Sequence, residues 1–249
     1  MKRKMPMTYL IDVLKKTTVF DLSHKFHAGI PHASVMPEET SKVIYNIDPD
    51  GFQAHLYSFA GQWGTHIDAP IHFAKGGRTL DQIEASELIL PFIVIDCSEE
   101  VEKDNDYLLS LKKVMEHEKQ FGEISSNSFV AMKTNWSSRW PDPEKMANKD
   151  NDGTAHFPGW SVEAVKFLIE ARNITAIGHE PMDTDGGRKV SVGNFECEDY
   201  LLCAGKYQIE MLASLQGIPQ TGAIVIVGVP KPLGGSGFPA RVMVVAENG

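Results

Sequence analysis

Cysteine is scarce in this chain, with three residues, Cys97, Cys197 and Cys203, among 249. An odd number set in regular-looking segments argues against a disulfide-stapled scaffold, so the fold must rest on a packed core. Long apolar runs are lacking as well. Nothing approaches the eighteen or so consecutive apolar residues of a membrane-spanning helix. The opening Met1-Lys2-Arg3-Lys4 leads to Asp12, Lys15 and Lys16 rather than to an apolar stretch, so no signal peptide and a reduced, cytoplasmic setting are expected. Positive charge is also in deficit: 24 Lys and Arg against 33 Asp and Glu give a formal charge of −9. That balance speaks against nucleic acid or an anionic membrane as a partner.

Familiar chemical signatures are missing too. No Gly-x-Gly-x-x-Gly follows a strand, no P-loop exists, and no Gly-x-Ser-x-Gly presents a serine nucleophile. The stretch from Asn148 to Gly153 begins like a calcium loop, but Gly159 stands where a bidentate Glu is needed. None of the cysteines has the neighbours of a catalytic thiol, and all three read as packing residues.

What remains is a globular composition, 42% hydrophobic and 23% charged, with nine histidines. Residues 8–16 place Leu10, Val13 and Leu14 on one helical face, and 17–22 read as a strand. Strands at 42–47 and 53–59 flank Asp48-Pro49-Asp50-Gly51 as a hairpin. The run 91–97 has the continuous apolar character of a strand buried on both faces. A charged helix follows at about 107–120. After a strand at 128–134 comes a polar loop, 135–159, long enough to suggest a function. Ser161 caps a helix with Val162, Val165 and Ile169 on one face, and 174–178 returns as a strand. Strands at 224–229 and 241–246 surround Gly234-Gly235-Ser236-Gly237. With no internal repeat and no linker, the expectation is one α/β domain over 1–249, built on a mixed sheet flanked by helices.

Residues 61–73 carry the chemistry: Gly-Gln-Trp-Gly-Thr-His-Ile-Asp-Ala-Pro-Ile-His-Phe. Gln62, His66, Asp68 and His72 share one parity and hence one face of an extended chain. At strand rise, His66 and Asp68 stand roughly 6 to 7 Å apart along the backbone, which lets both reach one ion. His72 lies about 13 Å beyond Asp68 on a straight chain, so it joins the site only if the backbone bends, as Pro70 permits. Gly64 allows close backbone approach. For an arbitrary His-x-Asp a solvated loop is the plainer explanation; four liganding side chains of one parity between Gly and Pro favour a site.

This segment resembles the signature His-x-Gly-Thr-His-x-Asp-x-Pro-x-His of the cyclase family of metal-dependent hydrolases, which includes bacterial kynurenine formamidase and isatin hydrolase. It matches at every fixed position except the first, where Gln62 stands for His. The likeness extends to Asp21-Leu22-Ser23, to Ile177 through Glu180, and to Glu210 with Leu212. A family His twelve residues before that Glu is here Glu198, followed by Leu201-Leu202 and Gly205. The resemblance implies a kynurenine formamidase-like, swivelling β/β/α fold and homodimers or tetramers. It assigns His66, Asp68 and Glu210 to a divalent metal, zinc or manganese, and His72 to general acid/base work. Gln62 and Glu198 fall at positions that complete a second metal site in the formamidase. An amide and a carboxylate there harden the ligand set, favouring manganese or magnesium, and leave the second site weak or absent.

His179, Asp183 and Asp185 are read either as partners that orient the ligands or as a polar turn with a buried His. Trp63, Phe73, Trp136 and Trp140 are read as walls for an aromatic substrate or as core. The implied activity is hydrolysis of a carbon–nitrogen bond in a small amide, formamide or cyclic imide. Two alternatives stay open: an isatin-like lactam or lactone hydrolase, and a catalytically silent binder of metal or a small acid.

Overall fold

Residues 8–247 are described by a computed structural model; Met1 to Lys4 lie outside them. Among the described residues thirteen strands form: β1 (Thr17–Asp21), β2 (Thr40–Tyr45), β3 (Ala54–Ser58), β4 (His66–Asp68), β5 (Ile89–Asp96), β6 (Leu108–Leu109), β7 (Phe129–Lys133), β8 (Gly159–Trp160), β9 (Ala176–His179), β10 (Tyr207–Glu210), β11 (Ala223–Gly228), β12 (Gly237–Pro239) and β13 (Arg241–Glu247). Nine of them make one sheet in the order β1-β13-β11-β5-β7-β9-β10-β4-β12. Its centre, β5-β7-β9-β10, is parallel, and every other pair is antiparallel. The expected mixed sheet flanked by helices is therefore what forms.

Side-chain alternation splits the core. Phe92 and Val94 of β5 join Phe129, Ala131 and Ala176 on one face, while Ile93 and Ile95 join Val130, Met132 and Ile177 on the other. The run 92–95 is thus buried on both faces, as its continuous apolar character requires, although Pro91 is exposed. The second face is covered by the helices Leu111–Phe121, Val162–Glu170 and Glu196–Cys203 through Val114, Val165, Leu168 and Leu201. Sheet closure follows from one short connection. A single residue, Ala240, separates β12 at one edge from β13 beside the other edge, so the sheet must curl until its ends meet. Leu22 spans the same seam, donating from its N–H to the Val242 carbonyl and accepting from the Ala213 N–H.

Most expected elements form, with informative differences. The β2–β3 hairpin pairs as expected around a short helical turn closed by Gly51 at φ +83°. The helix Thr8–Leu14 leaves Leu14 exposed and Val13 half-buried, so neither is a core residue; the Leu10 side chain of the same expected face lies outside what is described. The helix expected from 107 starts only at Leu111, because Leu108 and Leu109 pair with β8 and the Ser110 hydroxyl caps the Lys113 N–H. Ser161 does cap its helix, accepting from the Ala164 N–H; the buried face centres on Ala164, Val165 and Leu168, with Val162 and Ile169 half-buried. The stretch 135–159 is not structureless: it holds a 3-10 turn, Trp136–Arg139, and a helix, Pro143–Ala147, capped by Asp142.

Candidate metal centre

The local chain around β4 explains its residue types. Gly64 takes φ +63°, a left-handed conformation that costs glycine nothing, and a side chain there would press on Ile30. Its carbonyl then accepts from His66 Nδ1 at 2.8 Å, which turns Nε2 inward. The Thr65 hydroxyl donates to the Met211 carbonyl at 2.6 Å and ties β4 to the end of β10. Met211 itself sits at φ +51°, strained for a bulky residue, immediately after Glu210.

Strand register then sets the site. Asp68 is paired with Gln208 and His66 with Glu210, and residues directly opposite in a ladder point to the same face. Ile67 and Ile209 consequently enter the core, while His66, Asp68, Gln208 and Glu210 project together. His66 Nε2 lies 3.3 Å from Asp68 Oδ2 and 3.6 Å from Glu210 Oε2. The Pro70–His72 3-10 turn supplies the required bend and brings His72 Nε2 to 3.9 Å from Asp68 Oδ1 and 4.0 Å from Glu198 Oε1. Glu198, on the helix Glu196–Cys203, is 4% exposed, and Glu210 is 6% exposed, so neither is an ordinary surface carboxylate.

Three residues of the site escape the sequence reading. Fully buried Gln208 turns its amide nitrogen towards Glu198 at 2.9 Å, Glu210 at 3.0 Å and Asp68 at 3.2 Å, while Thr184 donates to its oxygen. Trp160 donates from its indole to His179 Nδ1 at 3.3 Å. Gly237 faces Asp68 across the β4–β12 ladder, and a Cβ there would collide with the Gln62 amide and stand 2.6 Å from the Ile67 carbonyl. The signal for Gln208 is its shared parity with Glu210; Trp160 and Gly237 have none that precedes the fold.

The remaining predicted residues separate by place. Gln62 presents its amide nitrogen to Asp68 Oδ1 at 3.2 Å and lies 3.5 Å from His72 Nδ1, so as placed it is a donor to a ligand rather than a ligand oxygen. Asp183 has an oxygen within 4.8 Å of those of Glu198 and Glu210. Asp185 accepts from the Cys197 and Glu198 N–H groups and so fixes the helix that carries Glu198. His179 is fully buried, with Nε2 3.5 Å from Glu210 Oε1. Glu180 lies outside the cluster, bracketing the chain after β7 by accepting from Thr134 and Ser137.

Electrostatics single out the cluster. Burial, reinforced by the Asp183 charge and then Asp68 and Asp185, pushes the Glu198 carboxyl up to about 10. Burial, with the charges of Asp183, Glu198 and Asp68, also raises Glu210 well above the carboxylate range, and Asp183 rises to about 8. Burial works against ionised Asp68, yet His66, His72 and the Gln208 amide hold it down to about 2. His66 is raised despite its own burial, chiefly by Asp68, so a proton shared between them is what a cation would displace. Burial keeps His179 neutral, down to about 3.

These residues fit a divalent cation. His66, Asp68 and Glu210 bring one ligand atom each to within 4.8 Å of the others, as do Asp68, His72 and Glu198, and Asp183, Glu198 and Glu210. The His66 tautomer is set by a backbone carbonyl, the usual arrangement behind a metal-bound imidazole. Four carboxylates crowded against two imidazoles lack a counter-charge that a cation supplies.

A cavity of about 620 Å³ opens beside the cluster at Asp183, walled by Val35, Phe157, Met182, Val190 and Phe195. Of the four aromatic residues read as walls, Phe73 packs edge-on between His72 and Phe195. Trp63 is buried against His32, Trp140 stacks on His24, and buried Trp136 donates to the Met146 carbonyl; none of the four, Phe73 included, lines the cavity.

Comparison with known proteins agrees with this architecture. A model of the Cyclase family matches residues 20–186. A protein named isatin hydrolase from Roseibium aggregatum is 33% identical over 208 residues, 80% of this chain and 78% of that one. Isatin hydrolase A from Labrenzia aggregata, solved with benzyl benzoate, superposes with TM-score 0.90 at 31% identity, covering 97% of this chain and 99% of the other. An isatin hydrolase bound to the product analogue thioisatinate gives TM-score 0.92 at 27% identity over the whole of both chains. A likeness in fold over nearly the whole of both chains, a matched family model and a relative 33% identical lead to one conclusion: this chain belongs to the Cyclase family.

Proposed function

We propose that this chain hydrolyses the carbon–nitrogen bond of a small amide, formamide or cyclic imide, with His66, Asp68 and Glu210 holding a divalent cation. The observation that carries this is the convergence of those three buried groups with half-exposed His72 at their edge. A carboxylate-rich donor set favours manganese over zinc. When bound, such a cation supplies Lewis acidity, polarising a carbonyl and lowering the pKa of water towards about 7.

The chain's own groups do the rest. One water adds across the bond: its hydroxyl goes to the acyl carbon, and a proton travels through His72 to the leaving nitrogen. Gln62 lies against both Asp68 and His72, and Phe73 packs on the His72 ring, so the imidazole keeps its aim. The apolar walls of the cavity suit an aryl group beside the scissile bond.

A lactam within an isatin-like ring is the second reading, favoured by the names of the relatives. Assaying N-formylkynurenine and isatin side by side, with added manganese or zinc, separates the two. His72→Ala is expected to lower turnover by about 10² to 10⁴ while cation content stays at the wild-type level. Full activity in that variant, on a substrate the wild type turns over, would remove His72 from the mechanism.

Self-association as a homodimer or tetramer belongs to the same proposal. It is supported by the β2–β3 hairpin, where Val43, Ile44, Tyr45, Leu56 and Tyr57 are all exposed. Light scattering of the purified protein tests it, and a monomer at micromolar concentration counts against it. A reduced, cytoplasmic setting is supported by three free cysteines, and among the described residues no helix is long and apolar enough to cross a membrane.

A further inference from the structure

We propose that Trp160 and His179 form a positioning relay that immobilises one oxygen of Glu210, so that Glu210 meets the cation through its other oxygen alone. The inference rests on the proposed cation site at His66, Asp68 and Glu210.

The chain of reasoning starts at Trp160. An indole N–H donates and never accepts, so the His179 Nδ1 atom 3.3 Å away must be the acceptor. A neutral imidazole then carries its single proton on Nε2. That atom is buried without a hydrogen-bond partner, and it stands 3.5 Å from Glu210 Oε1. An unmet donor in so closed a place is costly, and the carboxylate oxygen beside it among the described residues is Glu210 Oε1.

Gln208 already donates to the same Oε1 at 3.0 Å. Both donors therefore converge on Oε1, whereas Oε2 points the other way and lies 3.6 Å from His66 Nε2. An ionised Glu210 closes the remaining few tenths of an ångström, since hydrogen bonds to a charged acceptor are shorter than neutral ones. His179 is thus excluded as a ligand even though it borders the cluster: one nitrogen is taken by Trp160 and the other bears a proton.

The strut behind the relay is itself tightly built. The Trp160 N–H donates to the Thr184 carbonyl, and the Trp160 carbonyl accepts from Cys197 Sγ, next to Glu198. The preceding Gly159 lies so close to Asp185 and Gly186 that a side chain there would collide with their backbone. The indole is held by the same segment that anchors the Glu198 helix.

The test uses the full-length protein and Mn²⁺ alone. His179→Phe, which keeps the ring volume and removes the donor, should weaken Mn²⁺ binding by about 10- to 100-fold in a chelator competition. His179→Gln, which restores a donor, should recover most of that loss. Nitrogen NMR of histidine-labelled wild type should find His179 as the Nε2–H tautomer, and Trp160→Phe should release it to a mixture. Mn²⁺ electron-nuclear resonance should detect the same number of coupled imidazoles in wild type and His179→Phe.

Wild-type affinity in a folded His179→Phe variant, an Nδ1–H tautomer in the wild type, or loss of an imidazole coupling in the variant would each overturn the relay. Should His179→Phe not fold, the tautomer measurement on wild type and Trp160→Phe decides the matter. Failure of the underlying site reads differently. In that case His66→Ala would bind Mn²⁺ as tightly as wild type; loss of binding in His66→Ala with full binding in His179→Phe sinks the relay alone.

Discussion

Replacing Gln208 by Leu removes a buried amide that no sequence motif announces and leaves the volume of the site nearly unchanged. The amide has two N–H hydrogens and three carboxylate oxygens within 3.2 Å, so two bonds hold at a time, best to Glu198 at 2.9 Å and Glu210 at 3.0 Å. A hydrogen bond to a charged group contributes about 1.5 to 3 kcal/mol and one between neutral groups about 1 kcal/mol. Burial raises both the Glu198 and the Glu210 carboxyl, so the smaller figure is used for those two bonds. The hydroxyl of Thr184 also loses its acceptor, which adds a further unsatisfied buried donor. Together these give a loss of about 3 kcal/mol in the metal-free protein. For a chain of this size that corresponds to a melting point lower by roughly 6 to 12 °C. Urea unfolding and calorimetry in chelator measure the loss directly. Manganese titration of the same variant should give an affinity lower by about 10- to 100-fold. A Gln208→Leu protein that melts with wild type and binds manganese equally well would refute the view that this amide organises the carboxylates.

Other expectations follow from neighbouring contacts. Asp185→Ala deprives the helix Glu196–Cys203 of the carboxylate that accepts from the Cys197 and Glu198 N–H groups; a stability loss of about 0.5 to 2 kcal/mol and weaker manganese binding should both appear in denaturation and titration. Gly237→Ala drives a methyl group into the Gln62 amide and the Ile67 carbonyl, so it should destabilise by about 1 to 3 kcal/mol and depress activity, and a wild-type melting curve would contradict the packing described. Burial of His24 lowers its pKa from 6.5 to about 4, so the folded chain binds fewer protons than the unfolded one between those values. The corresponding stability is present above pH 6.5 and lost as pH falls through about 4; His24→Phe, which keeps an aromatic stack on Trp140, should flatten that acid limb in melts recorded from pH 4 to 7.

How far the site can be read from the sequence depends on the range of the contacts. His66 and Asp68 are two residues apart on a strand, and that spacing alone puts them on one face. His72 needs a bend, and Pro70 supplies it at the first position of a 3-10 turn. Glu198 and Glu210 come from the resemblance, since nothing local distinguishes a carboxylate on a helix or at a strand end. Gln208 reaches Asp68 only because β10 pairs with β4, a contact between residues 140 positions apart that no periodicity contains. Trp160 and His179 meet for the same reason, from segments that pair with different partners. Local errors have local causes: the helix expected from 107 begins at Leu111 because a two-residue strand competes successfully for Leu108 and Leu109.

The one-residue link at Ala240 has a consequence for the order in which the molecule assembles. The strand that carries His66 and Asp68 is held on one side by 207–210 and on the other by 237–239, while the first strand pairs with the last. Contacts of such large sequence separation slow folding, because long loops must close before any pairing rewards them. A growing chain therefore carries His66 and Asp68 well before residues 207–210 and 237–239, which frame them, have been made. Residues 237–247 act as the clasp of the candidate centre, and their loss would leave a partly folded chain with exposed strand edges and a strong tendency to aggregate.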